Sequence, residues 1–337
     1  MDDAKQQMIS SMQGAARLHL AYIGVANGLF DALGRLAAAT PAQLADAAEV
    51  DAAYVTRWCD AAFGFELLDA DEDTFALTEL GARFRSDADA TLLPFAVNVV
   101  LGAHMAERAA GLMRSGERPG ESVLAEQETV LPLFGPMLEH TFAPMFESTI
   151  LPAVPLYREV DDRGGLVVDL GCGNGWYVRA LAKRCPHVRG VGLDGFAENV
   201  AQATRLANRD GVADRVRFQD GDIHHFTLDE PADLIAMNRA LHHVWEQSDR
   251  VMHTLAEHLA PGGAAVIWEP RWPDDRATLR HPRARGMGLQ NLMEHVQGNH
   301  FLRPSEIEDA MRAAGLEPEV HLFAEGHEQV VVGRKPA

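Results

Sequence analysis

Two short segments of the sequence combine imidazole and carboxylate side chains, the groups that take up protons or bind metal ions. In the first segment His242 and His243 are adjacent, and in the second Glu294 and His295 interrupt an apolar helical run. A histidine can act as a general base, and a set of histidines with a carboxylate suits zinc or iron. The residue types leave both uses open, so the choice depends on what the rest of the chain builds around them.

A glycine-rich segment, VVDLGCGNGWY, predicts a ligand site at the end of a strand. Asp169 ends an apolar run, and Gly171, Gly173 and Gly175 follow at alternate positions. Glycines let the backbone turn tightly and let a ligand approach without a Cβ in the way. The spacing differs from the dinucleotide pattern Gly-x-Gly-x-x-Gly. An acid before the glycines favours a ligand that carries an amino group and a positive charge.

Two further strand ends carry residues that suit a nucleoside. Asp194 ends the next apolar run, at a position where a carboxylate can accept both hydroxyls of a ribose. Asp222 and Ile223 follow the third run and would place one polar and one apolar side chain beside an adenine.

These segments belong to an alternation of strands and helices that begins near Gly164. Predicted strands cover 165–170, 188–194, 216–220, 233–238 and 264–269, and predicted helices cover 176–184, 196–209 and 249–259. A closely spaced pair of strands at the C-terminus should be antiparallel, which makes seven strands. The pattern predicts an α/β fold with a Rossmann-like, doubly wound sheet that binds ligands at the carboxyl ends of its strands.

The N-terminal part follows a different pattern. Thr40-Pro41 and Asp51 each begin a helix, and a hairpin follows around 67–78, which together predict a winged helix. Residues 31–90 hold thirteen acids against four arginines, so this surface would repel DNA phosphates. The expected use is a homodimer contact through Leu18–Leu33. The predicted domains are 1–95 (winged-helix-like dimerisation), 96–155 (a helical connector that roofs the pocket) and 156–337 (ligand-binding).

Composition excludes several classes of protein. The chain has 337 residues and a formal net charge of −19, which argues against nucleic-acid or anionic membrane partners. Three scattered cysteines do not form a disulfide framework, and no apolar run reaches the roughly 20 residues of a membrane span. A cytoplasmic protein that acts on a small molecule is expected.

The glycine segment and the strand ends resemble the class I S-adenosylmethionine-dependent methyltransferases, over the whole of 164–337. The resemblance implies that Asp169, Gly171 and Gly173 hold the methionine part of S-adenosylmethionine. Asp194 would hold the ribose, and Asp222 and Ile223 the adenine. It also places Asn174 and Asn238 in the cofactor site. The segment 259–270 matches the helix end, Pro-Gly-Gly turn and fifth strand of that family.

Together with the N-terminal part, the chain resembles the plant-type O-methyltransferases, whose N-terminal half dimerises. That resemblance puts His242 in the place of the histidine that deprotonates the acceptor, with His243 where the family has Asp. It also implies that the helix bearing Glu294 and His295 faces His242 across the pocket. The sequence offers Arg239, Arg285 and Arg303 as candidate partners for a carboxylate of the acceptor.

The histidines also resemble those of a smaller group, the 2-oxo acid C-methyltransferases of the phenylpyruvate type, which hold a metal with two histidines. This resemblance implies a metal site of His242, His295 and Glu294, with zinc or iron, divalent or ferric. The expected reaction is methylation of the carbon beside a keto group through a metal-stabilised enolate. Whether His243 is a base, a supporting residue or neither stays open. The alternatives are O-methylation of a phenol or enol with His242 as base, and a non-catalytic winged-helix regulator.

Overall fold

The structure is a computed structural model that describes residues 2–120, 123, 126, 129–282 and 284–337. The chain forms two compact units. The first comprises Met1–Arg108 and Leu124–Thr141, and the second comprises Ala109–Val123 and Phe142–Ala337. Residues 96–155, predicted as a connector, therefore contribute to both units.

The first unit is mainly helical. Its helices are α1 (Asp3–Ala26), α2 (Leu29–Leu36), α3 (Pro41–Ala48), α4 (Ala52–Gly64) and α5 (Glu79–Ala82), and its short strands are β1 (Ala38–Ala39), β2 (Leu68–Asp71) and β3 (Thr74–Leu77). The strands form an antiparallel sheet in the order β1-β3-β2. Two longer helices, α6 (Leu93–Leu112) and α7 (Leu131–Met145), begin in this unit.

The helix starts predicted for this unit are confirmed by the hydrogen bonds of their caps. The Thr40 hydroxyl accepts from the Gln43 backbone N–H, and the Gln43 side chain accepts from the Thr40 N–H. Asp51 caps α4 through the N–H of Tyr54. These bonds satisfy donors that have no partner inside a helix. The use of this unit in a homodimer stays a prediction.

The second unit contains the predicted seven-stranded sheet. Its strands are β4 (Leu166–Leu170), β5 (Arg189–Asp194), β6 (Val216–Asp220), β7 (Ala232–Asn238), β8 (Leu259–Pro270), β9 (Glu317–Phe323) and β10 (Glu328–Arg334). Their order is β6-β5-β4-β7-β8-β10-β9. The first five strands in this order are parallel, and β10 is antiparallel to both of its neighbours. The antiparallel pairing of β9 with β10 is the one that the sequence predicted.

Helices connect these strands. They are a π-helix (Phe146–Ile150), α8 (Leu151–Ala153), α9 (Leu156–Asp162), α10 (Trp176–Arg184), α11 (Ala197–Arg209), α12 (Ser248–His258), α13 (Arg285–Val296) and α14 (Pro304–Ala313), with 3-10 helices at Leu241–Gln247, Arg276–Arg280 and Ala324–Gly326. Apolar side chains of β4, β5, β7 and β8 pack against α12 and α14 in one continuous core. None of the described helices combines the length and apolar character needed to cross a bilayer.

The strand order fixes where a ligand can bind. The chain runs outward from β4 to β6 and then returns to place β7 on the other side of β4. A crevice opens at such a reversal, beyond the carboxyl ends of the two central strands. Those ends are Leu170 and Asn238, so the glycine segment and the histidine segment meet at one edge of the sheet.

One strand is longer than predicted. The sequence indicates a turn at Pro261-Gly-Gly before a strand at 264–269, whereas β8 already pairs with β7 at Leu259. The pairing shifts register between Ala232 and Leu234, so the turn is an irregularity inside the strand. Gly262 adopts a φ of +73°, and a Cβ on Gly263 would lie 3.0 Å from the Ala232 carbonyl oxygen. Only glycine allows this close approach.

Candidate active site

The glycine segment forms an open turn at the end of β4. Gly171, Gly173 and Gly175 all have positive φ angles, of 71°, 53° and 74°. A Cβ on Gly175 would lie 2.3 Å from the Phe218 ring, so this glycine is required by packing. A Cβ on Gly173 would have nothing within 4 Å, so this glycine borders open space. The predicted contact of Gly173 with a ligand stays a prediction.

Asp169 is buried beneath this turn and lacks a cationic partner among the described residues. Its carboxylate accepts a hydrogen bond of 2.8 Å from the Asn238 amide, while Asn238 Oδ1 is buried with no partner there. Burial raises the pKa of Asp169 to about 8; the Asn238 bond lowers it, and the charge of Asp194 raises it. A buried acid beside an unpaired acceptor fits the ammonium group of a methionine moiety, which would satisfy both.

Asp194 ends β5 and organises the same turn. Its Oδ2 accepts from the Gly173 N–H at 2.7 Å, and its Oδ1 accepts from the Phe196 N–H and the Asn199 amide. Because each carboxylate oxygen has two lone pairs, these three bonds leave one lone pair, on Oδ2, that can accept from a ribose hydroxyl. The predicted contact with ribose stays a prediction.

The remaining predicted cofactor residues occupy three different environments. Asp222 is exposed, and its carboxylate accepts from the His224 backbone N–H. Ile223 packs against the core beside the turn. Asn174 is buried and accepts from the Trp176 N–H at 3.3 Å. Their places around a nucleoside stay predictions.

His242 lies in the 3-10 helix after β7 and is paired with a buried carboxylate. Its Nδ1 is 2.7 Å from Glu269 Oε2, and its backbone N–H donates to Glu269 Oε1 at 3.2 Å. Only 4% of the His242 side chain and 1% of Glu269 are exposed. The carboxylate fixes the proton on Nδ1, which leaves Nε2 as the basic nitrogen.

Glu269 is the functional residue that the sequence analysis missed. Burial would raise its pKa, but the charge and hydrogen bond of His242 outweigh burial, with further lowering by Arg239 and His243. The net direction is downward, so the carboxylate is ionised. The one sequence signal was a carboxylate near the carboxyl end of a buried strand.

On its other side, His242 meets helix α13. His242 Nε2 lies 3.7 Å from Glu294 Oε2, and this oxygen accepts a hydrogen bond from the Gln297 amide at 3.1 Å. The ring of His243 lies against that of His242, with centroids 4.1 Å apart and the ring planes tilted by 36°. The prediction that this helix faces the histidine segment is confirmed.

Among the described residues, the group that could bind a metal is His242, His243 and Glu294, whose ligand atoms all lie within 4.8 Å of one another. The prediction named His295 in place of His243. Consecutive helical side chains point about 100° apart, so α13 directs Glu294 and His295 to different places. His295 is exposed and is not a member of this group. As a ligand it stays a prediction.

Arg239, predicted as a partner for a carboxylate of the acceptor, is already paired with a carboxylate of the protein. Its Nη1 lies 2.8 Å from Glu328 Oε2, which also accepts from the Trp268 indole N–H. Its guanidinium lies 3.9 Å from the centre of the Phe142 ring, and its backbone has a left-handed φ of 58°. Arg239 thus anchors the turn before His242, and its contact with an acceptor stays a prediction.

A cavity of about 530 Å³ opens beside His242. Its basic lining residues are Arg118, His224, His242, His243, His295 and His300. The volume lies within the range of small-molecule sites, about 300–1,000 Å³.

Comparison with known proteins agrees with this architecture. Residues 167–263 match the family model described as a methyltransferase domain. A crystal structure of human N-acetylserotonin methyltransferase with S-adenosylmethionine is 19% identical, with a TM-score of 0.75 over 100% of this chain and 99% of that one. An O-methyltransferase family protein from Burkholderia thailandensis is 20% identical, with a TM-score of 0.72 over 100% and 99%.

The curated relatives match over a shorter range. The trans-aconitate 2-methyltransferase of Pseudomonas paraeruginosa is 28% identical over 179 residues, which is 50% of this chain and 62% of that protein. That of Streptomyces avermitilis is 34% identical over 137 residues, or 35% and 51%. The chain thus spans about half to three fifths of these relatives. It has the class I S-adenosylmethionine-dependent methyltransferase fold and carries a methyltransferase domain at residues 167–263.

Proposed function

We propose that the chain transfers the methyl group of S-adenosylmethionine to a small-molecule acceptor that His242 deprotonates. The observation that carries this proposal is the hydrogen bond between His242 Nδ1 and the buried, ionised Glu269. The methyltransferase domain supports the donor assignment. Neighbours named N-acetylserotonin methyltransferase and mitomycin 7-O-methyltransferase support a small organic acceptor, with oxygen as one possible methylation site.

Each residue has a distinct task in this reaction. When bound, S-adenosylmethionine supplies an electrophilic methyl group on a sulfonium. Asp169 and Asn238 hold its ammonium end at the glycine turn. His242 Nε2 removes the acceptor proton, and Glu269 stabilises the imidazolium that forms. Burial of both side chains strengthens this charge pairing because the surroundings are less polar than water.

The test is a methyl-transfer assay with labelled S-adenosylmethionine and a panel of phenols, enols, hydroxy acids and 2-oxo acids. We expect label in at least one acceptor, with formation of S-adenosylhomocysteine in equal amount. A protein that binds S-adenosylmethionine yet labels no acceptor of any class, and instead shifts DNA in a gel at low salt, would be a regulator.

A second candidate is metal-assisted C-methylation of a 2-oxo acid. It is favoured by the grouping of His242, His243 and Glu294. These residues fit a metal if the side-chain amide of Asn299 is turned. Asn299 Nδ2 lies 2.8 Å from His243 Nδ1, and an amide nitrogen only donates, which puts the proton of a neutral His243 on Nε2. Half a turn of the amide would present its oxygen to Nδ1–H, so that Nε2 carries no proton and has a lone pair for an ion.

A bound zinc or iron ion would act as a Lewis acid that makes the C–H beside a keto group more acidic. In this route His242 and His243 would hold the ion, Glu294 would complete the protein ligands, and Glu269 would orient His242 from behind.

Metal binding should be visible without any activity assay. Adding zinc or ferric iron at 100 times its Kd should raise the free energy of unfolding by about 2.7 kcal/mol. His243→Ala and Glu294→Gln should abolish this gain, whereas His295→Ala should retain it. If His295→Ala alone abolishes it, the ligand set is the one predicted from the sequence. Full activity on a 2-oxo acid after removal of all metal, or a labelled product that loses its methyl group in acid, contradicts this candidate.

A further inference from the structure

The cavity beside His242 is rich in side chains that can donate hydrogen bonds. Its lining contains five imidazoles and the guanidinium of Arg118. One carboxylate, Glu246, lines it. A second, Glu294, borders it beside His242 but already accepts from Gln297 and Asn299. Hydrogen-bond donors are therefore concentrated at the place where an acceptor would bind.

Two of these groups have donors without a partner among the described residues. Arg118 is exposed and forms no ion pair there. His224 is held in place by its backbone N–H, which donates to Asp222 Oδ1 at 2.9 Å. Its ring nitrogen Nδ1 is buried and has no hydrogen-bond partner in that part of the chain. Buried polar atoms are nearly always hydrogen-bonded, so the Nδ1 of this cavity-lining histidine requires a partner from outside the described residues, which is a water molecule or a ligand atom.

We propose that Arg118 and His224 form an anion subsite, and that the acceptor is a carboxylic acid whose carboxylate binds there. The inference rests on the proposed methyl transfer and names the substrate class of the same cavity. A guanidinium presents two parallel N–H groups that match the two oxygens of a carboxylate, and His224 Nδ1–H adds a third donor. Arg239 cannot take this role while Glu328 neutralises it.

The anion subsite and a metal-bound carboxylate predict different effects of a chelator on the preference for acids. If a metal bound the carboxylate, a chelator would remove the preference for acids. A carboxylate held by Arg118 and His224 keeps its preference in the presence of a chelator.

The experiment compares each acid with its uncharged ester as acceptor, using 4-hydroxybenzoate with methyl 4-hydroxybenzoate and pyruvate with methyl pyruvate. We expect the wild type to prefer the acid of whichever pair it methylates, through a lower KM. Arg118→Gln should reduce the acid-to-ester ratio of kcat/KM by 10- to 100-fold, mainly by raising KM for the acid. His224→Phe, which removes both ring nitrogens, should reduce it in the same direction.

The matched control is Arg114→Gln, an exposed arginine of the same segment that does not line the cavity, and it should leave the ratio unchanged. Equal use of acid and ester by the wild type, or an unchanged ratio in Arg118→Gln, overturns the subsite while methyl transfer stands. If no acceptor is methylated, calorimetric titration of 4-hydroxybenzoate into the S-adenosylhomocysteine complex tests the anion subsite separately from methyl transfer. Binding that Arg118→Gln weakens supports the subsite, and no binding overturns it.

Discussion

Replacing His242 with alanine should lower kcat for methyl transfer by about 10³-fold, within the range of about 10²–10⁴ that a positioned general base contributes. The affinity for S-adenosylmethionine should change by no more than a few-fold, because no predicted cofactor contact involves this ring. Glu269→Gln should also lower kcat, since an amide can no longer stabilise the imidazolium. Both effects would be measured in single-turnover assays, with binding of S-adenosylmethionine followed by calorimetry.

The control for this prediction is another histidine of the same unit. His253 lies on α12, where its Nδ1 is 2.7 Å from the Asp249 carbonyl oxygen, and it is exposed. His253→Ala should keep the wild-type rate. A His242→Ala protein that binds the donor and retains more than a tenth of the wild-type kcat would show that the acceptor loses its proton elsewhere.

The sheet was predictable because local chemistry specifies it. The strand at Leu166–Leu170 is an apolar run interrupted only by Asp169, and it is followed by glycines that only a sharp turn requires. Helix α10 occupies the predicted range, Trp176–Arg184, because the last of those glycines ends the turn and allows the helix to begin. The hydrophobic periodicity and the turn residues that specify such elements lie within about ten positions of the chain.

The pairing at His242 was only half predictable, because it depends on contacts distant in the sequence. Glu269 reaches His242 across 27 positions, and only the parallel pairing of β7 with β8 brings them together. Which of the two side chains, Glu294 or His295, points towards His242 is set by the rotation of α13 about its axis. A rotation of one residue, about 100°, exchanges the two side chains, and no local pattern fixes it that closely.

Binding of S-adenosylmethionine should depend steeply on pH because of Asp169. The pKa of this buried carboxyl is raised to about 8, first by burial, against the Asn238 hydrogen bond and with the charge of Asp194. Below pH 8 the group is therefore protonated in the free protein, whereas the donor's ammonium group requires the carboxylate. Binding must then release a proton. The association constant should rise up to about tenfold per pH unit between pH 6 and 8. Above pH 8 the donor loses its own ammonium proton, whose pKa is about 8, so affinity should peak there.

The stability of the unliganded protein should change in the opposite direction. The folded state holds a proton on Asp169 between pH 4 and 8 that the unfolded chain has lost. The contribution of Asp169 to the free energy of unfolding is therefore fully present below about pH 4. It is lost as pH rises through 8, by up to about 1.4 kcal/mol per pH unit. Asp169→Asn should remove both dependences and weaken donor binding at pH 8.

Asp222→Asn is the matched control for this prediction. The backbone N–H of His224 and then His225 lower the pKa of Asp222, so its carboxylate is already ionised across this range. In Asp222→Asn the logarithm of the affinity for S-adenosylmethionine should therefore rise with pH as steeply as in the wild type, even if the affinity itself is lower. Calorimetry in buffers of different ionisation enthalpy counts the protons released on binding. Release of a proton at pH 6.5 by the wild type and by Asp222→Asn, but not by Asp169→Asn, identifies Asp169 as its source. A pH-independent affinity in the wild type would mean that this carboxyl is ionised before the donor arrives, and the ammonium group would then bind a ready-made carboxylate.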